Sequence, residues 1–446
     1  MMWLLACTGS AEVAEVPSDP GTAPPHPPPL HPPPPHQQPE PFFATPEFDL
    51  QPAPGTPHRS VLIVSLDTVR ADSLAPWGGR VEGLPGDRVY KRAYSHFPQT
   101  CVSHWSLMTG ALPALHGNTP ANRGSTWSGP TFAEIAKTEG YATAAFIGGQ
   151  TLMDSQCGLS RGFDVYDDDF VIDPRDMRRH GKEVIGSAKT WIEAQDGAWF
   201  AFVHLFDAHF PYTPEENLFD PDYTGGINGD DAVLRPYRDG QRDPTPRDIE
   251  HVRALYDAEI AEMSEWLKPL WTAAGEDTLV LITSDHGESF EHGYWFNHKD
   301  SVMEGVLHVP LLLSGPGVEA GTDDAPIGLV DVAPMLLTLA GLPVDQTMEG
   351  SGTTLYGITD PFDPNGVHKW SERHGAQLRV EQKGTTTCWS WPDEDQQACA
   401  GNTRRPDYNR LLEQQDERVV DPPENAHPMT PDECQRLKAL GYIESC

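Results

Sequence analysis

Thr100, Cys101, Ser103 and His104 stand in one stretch, Phe97-Pro98-Gln99-Thr100-Cys101-Val102-Ser103-His104-Trp105-Ser106-Leu107-Met108-Thr109-Gly110, which concentrates hydroxyl, thiol and imidazole groups. The pattern predicts a short helix over Ser103–Met108, with Thr100 just ahead of its N-terminus. A hydroxyl there meets unpaired backbone N–H groups and the positive end of the helix dipole, a setting that welcomes an anion. The same hydroxyl could equally serve as a plain helix cap. Two distant carboxylates favour chemistry. Val61-Leu62-Ile63-Val64-Ser65-Leu66 closes on Asp67, and Thr278-Leu279-Val280-Leu281-Ile282-Thr283-Ser284 closes on Asp285-His286. Two carboxylates, an imidazole and a hydroxyl could surround one divalent cation and an oxyanion.

The elements that must position these groups follow from the same runs. Each is continuously apolar, as strands buried on both faces of a parallel sheet are. Ligands in open α/β sheets bind outside the carboxyl ends of the strands, where both aspartates fall. With 446 residues there is room for one large α/β domain, a smaller appendage and non-globular sequence. Against 31 Lys+Arg stand 66 Asp+Glu, a formal net charge of −35. That charge argues against nucleic acid or anionic lipid as a general partner, and requires a local positive pocket for any anionic substrate.

Several segments then appear in a telling order: VLIVSLDTVRAD, TCVSHWSLMTGALPALHG, FAFVHLFDAHFPY, and LITSDHGESFEHGYWFNHK with VMEGVLHVPLLLSGPG. GLSRGFDVYD, YDAEIAEMSEWL, LVDVAPMLLTLAGLP and the terminal RLKALGYIE add to them. The series resembles the sulfatase branch of the alkaline phosphatase superfamily, from about residue 59 to 358. The resemblance implies an α/β fold: an alkaline-phosphatase-like α/β/α sandwich with a central mixed, mainly parallel sheet, and a small C-terminal α+β subdomain. It implies a metal-dependent hydrolase of sulfate or phosphate esters. The alternatives are a phosphodiesterase or phosphoryl-headgroup transferase, and a catalytically silent surface lipoprotein that binds glycans or anions.

Carried over residue by residue, the resemblance makes Asp67, Thr100, Asp285 and His286 the metal ligands and Thr100 and His209 the catalytic pair. His104, His298, Lys299 and Arg70 fall at substrate-binding positions. For Arg70 a structural salt bridge with Asp72 is the competing reading; for Ser103 and His104 it is capping and packing. His204 and Asp207 brace a loop, and Glu288 and Glu291 are solvated or support other groups. Cys-type sulfatases form formylglycine from the Cys of C-x-P-x-R. Here Thr100 occupies that slot, Cys101 comes one residue late, and Val102 and His104 replace the Pro and Arg. A Lys and a His usual after the next strand are replaced by Gly148, Gly149 and Gln150. The pattern resembles the T-x-P-S-H branch, with an unmodified Thr as nucleophile. One divalent ion is implied; an imidazole ligand favours Mn or Zn, with Ca or Mg as the oxygen-preferring alternatives.

Four segments result: residues 1–16, a lipoprotein-type signal remnant in which Leu4-Leu5-Ala6-Cys7 resembles a lipobox; 17–58, a Pro-rich disordered linker; 59–358, the catalytic domain; and 359–446, the C-terminal subdomain. The remaining six cysteines suit disulfides, Cys388 with Cys399 being the closest local pair. The expectation is an exported bacterial protein, periplasmic or on the cell surface, touching membrane only through a lipid at Cys7. Its expected partner is an anionic ester such as a sulfated glycan, with no nucleic acid and no obligate protein partner.

Overall fold

In the computed structural model, residues 60–350 are described apart from 119–124, 126, 173–176, 292, 300 and 349, together with the backbone of five strands between 355 and 397. The signal remnant with Cys7, the Pro-rich linker, Cys399, Cys434, Cys446 and the helix expected over 431–440 lie outside the described residues.

Hydrophobic runs become strands in chain order: β1 (Val61–Leu66), β2 (Arg88–Tyr94), β3 (Ala142–Phe146), β4 (Val165–Asp167), β5 (Trp199–Leu205) and β6 (Leu279–Thr283). A hairpin of β7 (Ser289–Glu291) and β8 (Tyr294–Asn297) follows, then β9 (His308–Val309), β10 (Leu311–Ser314) and β11 (Gly321–Gly328). The main sheet runs β11-β2-β10-β6-β1-β5-β3-β4, with β9 beside β2. The neighbours β6-β1-β5-β3-β4 are all parallel, whereas β10 is antiparallel to both β6 and β2. The sheet is therefore mixed and mainly parallel.

Side chains alternate across a strand, so β1 supplies both faces of the sheet at once. Val61 and Ile63 join a core with Trp105, Phe132 and Leu336, on helices Thr100–Thr109, Phe132–Thr138 and Val332–Ala340. Leu62, Val64 and Leu66 join the opposite core with Val184, Val252 and Tyr256, on helices Gly181–Glu193 and Pro246–Trp266. Burial on both faces is why β1 reads as an uninterrupted apolar run. The result is a three-layer α/β/α sandwich. The long Pro246–Trp266 helix starts where sequence chemistry demands, with Pro246 at its first turn and a reciprocal capping box between Thr245 and Asp248.

The second sheet is antiparallel and orders β12 (Leu355–Ile358), β13 (Lys369–His374), β14 (Gln377–Gln382), β15 (Thr385–Ser390) and β16 (Gln396–Gln397). Its first strand lies inside the segment assigned above to the catalytic domain. Cys388 is disulfide-bonded. Among the described residues no helix is long and apolar enough to cross a membrane.

Candidate active site

Three adjacent parallel strands bring the distant carboxylates together. In register, Ser65 of β1 faces Thr283 of β6 and Leu66 faces Leu205 of β5, so these strands end at one level. Asp67 and the loop Ser284-Asp285-His286 leave that edge side by side, all buried. Thr68, at φ 60°, turns its backbone N–H onto Asp285 Oδ1 at 3.2 Å. A β-branched residue in the left-handed region costs on the order of 1–3 kcal/mol, which the surrounding structure must offset.

Each metal-type carboxylate has one oxygen tied and one left over. His204 Nε2–H donates to Asp67 Oδ2 at 3.0 Å, leaving Asp67 Oδ1 buried without a hydrogen bond. Thr68 holds Asp285 Oδ1, leaving Asp285 Oδ2 in the same condition. His286 donates Nδ1–H to the Gly287 carbonyl at 3.0 Å, which sets its tautomer and turns a lone pair at Nε2 into the cluster. One ligand atom from each of Asp67, Asp285 and His286 lies within 4.8 Å of the other two. Burial, then repulsion from Asp285, pushes the Asp67 carboxyl well above the usual range. For Asp285 burial also acts upward, but His286, His104 and His204 outweigh it and hold the group low. Two buried carboxylates that cannot both ionise comfortably form a site lacking a positive charge. The donor set, with its orphaned atoms, fits a divalent cation.

The helix α1 (Thr100–Thr109) begins three residues earlier than expected: Gln99 is its cap residue and Thr100 its first helical residue. Capping is therefore not the task of the Thr100 hydroxyl. It is buried, close enough to Asp67 to lower that carboxyl's pKa, yet completes no hydrogen bond of ordinary geometry. One residue on, Cys101 forms a disulfide with Cys157.

The expectations for Ser103 and His104 need correction. Ser103 Oγ donates to the Phe97 carbonyl at 2.6 Å and lies 2.9 Å from Ser95 Oγ. His104 spends Nδ1 on the Thr100 carbonyl at 2.7 Å and Nε2 on Ser65 Oγ at 2.9 Å. Burial pushes His104 down to about 4, so it is a neutral packing residue that ties α1 to β1. Arg70 likewise follows its structural alternative. It grips Asp72 at 2.7 and 2.8 Å, Glu291 at 2.8 Å and the Glu288 carbonyl at 2.9 Å, clasping the β7–β8 hairpin to the strand-β1 loop. His204 braces Asp67 rather than a loop, whereas Asp207 does hold one, accepting from Gly181 N at 3.1 Å.

On the other side of the cluster stands a row of rings. His286 and His298 have centroids 4.3 Å apart, and His298 and His209 5.4 Å. His209 stacks on Phe206 at 4.3 Å and places Nδ1 2.8 Å from the Phe210 carbonyl. Burial holds both His209 and His298 well below the ordinary imidazole value. Glu288 is fully buried, not solvated: Tyr212 donates to its Oε2 at 2.8 Å, and Oε1 lies 3.4 Å from His298 Nδ1. Lys299 is half-buried beside His298, where its charge is felt. Beyond β3, a Cβ on Gly149 would meet Phe206 at 2.4 Å, and one on Gly148 the His204 carbonyl at 2.5 Å. A side chain at either glycine would require its neighbours to shift.

Two contributors went unnoticed in the sequence: Tyr212, which orients Glu288, and Arg238 at the end of helix Asp231–Arg238, whose guanidinium lies 3.9 Å over the Phe210 ring. No motif marks either one; the Tyr at the end of FAFVHLFDAHFPY was the available signal for the first.

Comparison with known proteins identifies the family and the fold. The family model described as Sulfatase matches residues 84–342. Arylsulfatase K of Danio rerio is 38% identical over 148 residues, 30% of this chain and 28% of that protein. Arylsulfatase K of Xenopus laevis is 25% identical over 375 residues, 69% of each. The chain thus aligns with little more than a quarter of the first relative's length. Among solved structures, the phosphonate monoester hydrolase of Agrobacterium radiobacter superposes with a TM-score of 0.59 at 18% identity, covering 75% of this chain and 90% of that one. The structure of BT4656 in complex with its substrate D-glucosamine-2-N,6-O-disulfate gives 0.62 at 16% identity, covering 82% and 100%. These likenesses show the fold.

Proposed function

The chain belongs to the sulfatase family, and on that premise we propose that it hydrolyses sulfate esters with a bound divalent cation and the unmodified hydroxyl of Thr100 as nucleophile. The observation that carries the reading is the convergence of one ligand atom each from Asp67, Asp285 and His286, His286 Nε2 lying 3.2 Å from Asp285 Oδ2, with the Thr100 hydroxyl beside Asp67. Asp67 Oδ1, Asp285 Oδ2, His286 Nε2 and Thr100 Oγ1 are all buried and complete no hydrogen bond. Leaving so many polar atoms unpaired costs about 1–3 kcal/mol each, which a folded protein tolerates where a ligand completes the set.

Asp67, Asp285, His286 and Thr100 would hold a divalent cation, which would supply Lewis acidity to lower the hydroxyl's pKa and offset the ester's charge. His204 and the Thr68 N–H fix the two carboxylates so that their free oxygens point inward. Thr100 Oγ1 forms a bond to sulfur as the bond from sulfur to the alcohol oxygen breaks. With Nδ1–H directed at the Phe210 carbonyl, neutral His209 carries its lone pair on Nε2. The hydroxyl proton is released to solvent, and His209, once protonated at Nε2, gives a proton to the departing oxygen. Attack by water then releases sulfate and restores Thr100. Lys299 adds positive charge beside the transferred group.

The imidazole of His286 favours manganese or zinc over calcium. The likeness to phosphonate monoester hydrolases keeps phosphorus esters as the second reading, since the same constellation would accept them. The Cys101–Cys157 disulfide supports an exported location, because such bonds persist in oxidising compartments. A lipid at Cys7 completes that proposal.

Metal-loaded protein is to be assayed on an aryl sulfate, a phosphate monoester and a phosphodiester. Highest kcat/KM on the sulfate is expected, with no aldehyde at Cys101 by mass spectrometry. A higher value on either phosphorus ester replaces the substrate class; no turnover of any of them leaves the anion-binding reading.

A further inference from the structure

Arg238 is out of keeping with the rest of the chain's charges. Acids outnumber bases, 66 to 31, and the arginines around the site are taken: Arg70 by Asp72 and Glu291, Arg253 by Asp72 and Asp257, Arg178 by Glu259. Arg238 is half-buried, its Nε is shielded from solvent without a hydrogen-bond partner, and no described carboxylate lies within ion-pair distance. Its guanidinium lies 3.9 Å over the Phe210 ring, and among the described residues no acceptor takes a hydrogen bond from it. The neighbouring Glu288 is committed to Tyr212, with His298 facing its other oxygen.

Position gives this spare cation a meaning. From the metal cluster outward run His286, His298, His209 and Phe210, each in ring or hydrogen-bond contact with the next, and Arg238 covers the last. Its charge is felt at His209, Tyr212, Glu288 and His298, but is not among the main influences on Asp67 or Asp285. With Thr100 as the proposed nucleophile, the ester under attack belongs at the metal-cluster end of this row, and a guanidinium at the other end is placed for what the ester is attached to.

We infer that Arg238 is a specificity-determining residue whose guanidinium receives a second negative group, a carboxylate or sulfate, carried by the alcohol part of the ester. The inference rests on the ester-hydrolase reading and narrows its substrate class to esters of anionic alcohols, acidic saccharides included. A planar fork of N–H donors held against an aromatic face suits such a group.

The test compares 4-nitrophenyl sulfate with ring-carboxylated 4-nitrophenyl sulfates on metal-loaded wild-type, Arg238→Gln and Arg238→Lys protein. Wild type should favour a carboxylated ester at least tenfold in kcat/KM, mainly through KM. Arg238→Gln should erase that preference and Arg238→Lys keep part of it. Equal losses on both esters, or an unchanged preference, would overturn the inference. Calorimetric binding of the same carboxylated ester to metal-loaded Thr100→Ala protein gives a readout that needs no turnover. Adding Arg238→Gln should weaken binding at least tenfold, which upholds the anion subsite even if the reaction class proves different. Unchanged binding rejects it.

Discussion

Two clusters of buried charge lie on either side of the loop after β1, and they are built to opposite rules. In the clasp, Arg70, Asp72, Arg253, Asp257 and Glu291 satisfy one another: Arg70 forks onto Asp72, Arg253 bridges Asp72 and Asp257, and Glu291 closes on Arg70. In the cluster, Asp67, Asp285 and His286 each have one atom anchored by the protein and another left unpaired, and the Thr100 hydroxyl beside them is unpaired too. Each takes ionisable groups out of water, Arg70 and Asp257 in the clasp and Asp67, Asp285 and His286 in the cluster, although Asp72 and Glu291 stay partly exposed. What differs is completeness. A finished network needs nothing from outside and acts as structure, whereas an unfinished one aimed at a single point calls for a ligand.

The sharpest break in the comparison comes from Thr100→Ala. It should lower kcat by at least ~1,000-fold because nucleophile and metal contact vanish together, while the thermal midpoint barely changes. Steady-state kinetics with a melting curve check both halves. Chelation should abolish activity as fully, with manganese or zinc restoring it better than calcium; elemental analysis showing stoichiometric calcium in untreated protein would reverse the choice of ion. Next in size, His204→Ala frees Asp67 Oδ2 and should weaken metal affinity by about 10–100-fold, read by competition with a chelating dye. The clasp should answer in the opposite currency. Arg70→Ala should cost on the order of 2 kcal/mol in denaturant unfolding, discounted because Asp72 is half exposed, and leave turnover per folded, metal-loaded molecule within about twofold.

pH should separate the clusters by a smaller margin. Burial pushes His104 and His204 down to about 4, below the ordinary value near 6.5. Between those limits the unfolded chain binds the extra protons, so stability of metal-free protein is full above about pH 6.5 and falls as pH drops toward 4. Burial would raise Asp72, but Arg70 and Arg253 outweigh it and hold its carboxyl well below the usual range. Its contribution is present above the ordinary carboxylate value and is lost only in stronger acid. The Arg70→Ala difference should therefore stay constant from pH 6.5 to 4 and shrink below that. A difference that already closes at pH 5 would contradict the assignment.

Much of the architecture was legible because burial writes itself into a strand. Val61–Leu66 and Leu279–Thr283 are apolar without interruption, since both faces are covered, and each ends in the residue that needs the carboxyl edge of the sheet. That is how Asp67 and Asp285 could be paired across more than two hundred residues, and Gly148 and Gly149 recognised as places where a side chain is missing. The roles of Arg70 and His104 were not legible. A cation or imidazole near a site motif carries the same letter whether it faces the substrate or a neighbouring acid. Only the approach of Glu291 to Arg70, and of Ser65 to His104, decided between them. Likewise Arg238 belongs to a helix with no motif, and its place over Phe210 follows from how that helix packs. Sequence alone thus determined which residues could be brought to one edge, because local hydrophobic pattern dictates strands and their ends. The tertiary structure decided which polar atoms were left unpaired there, because hydrogen-bond partners are chosen by distance in space and not along the chain.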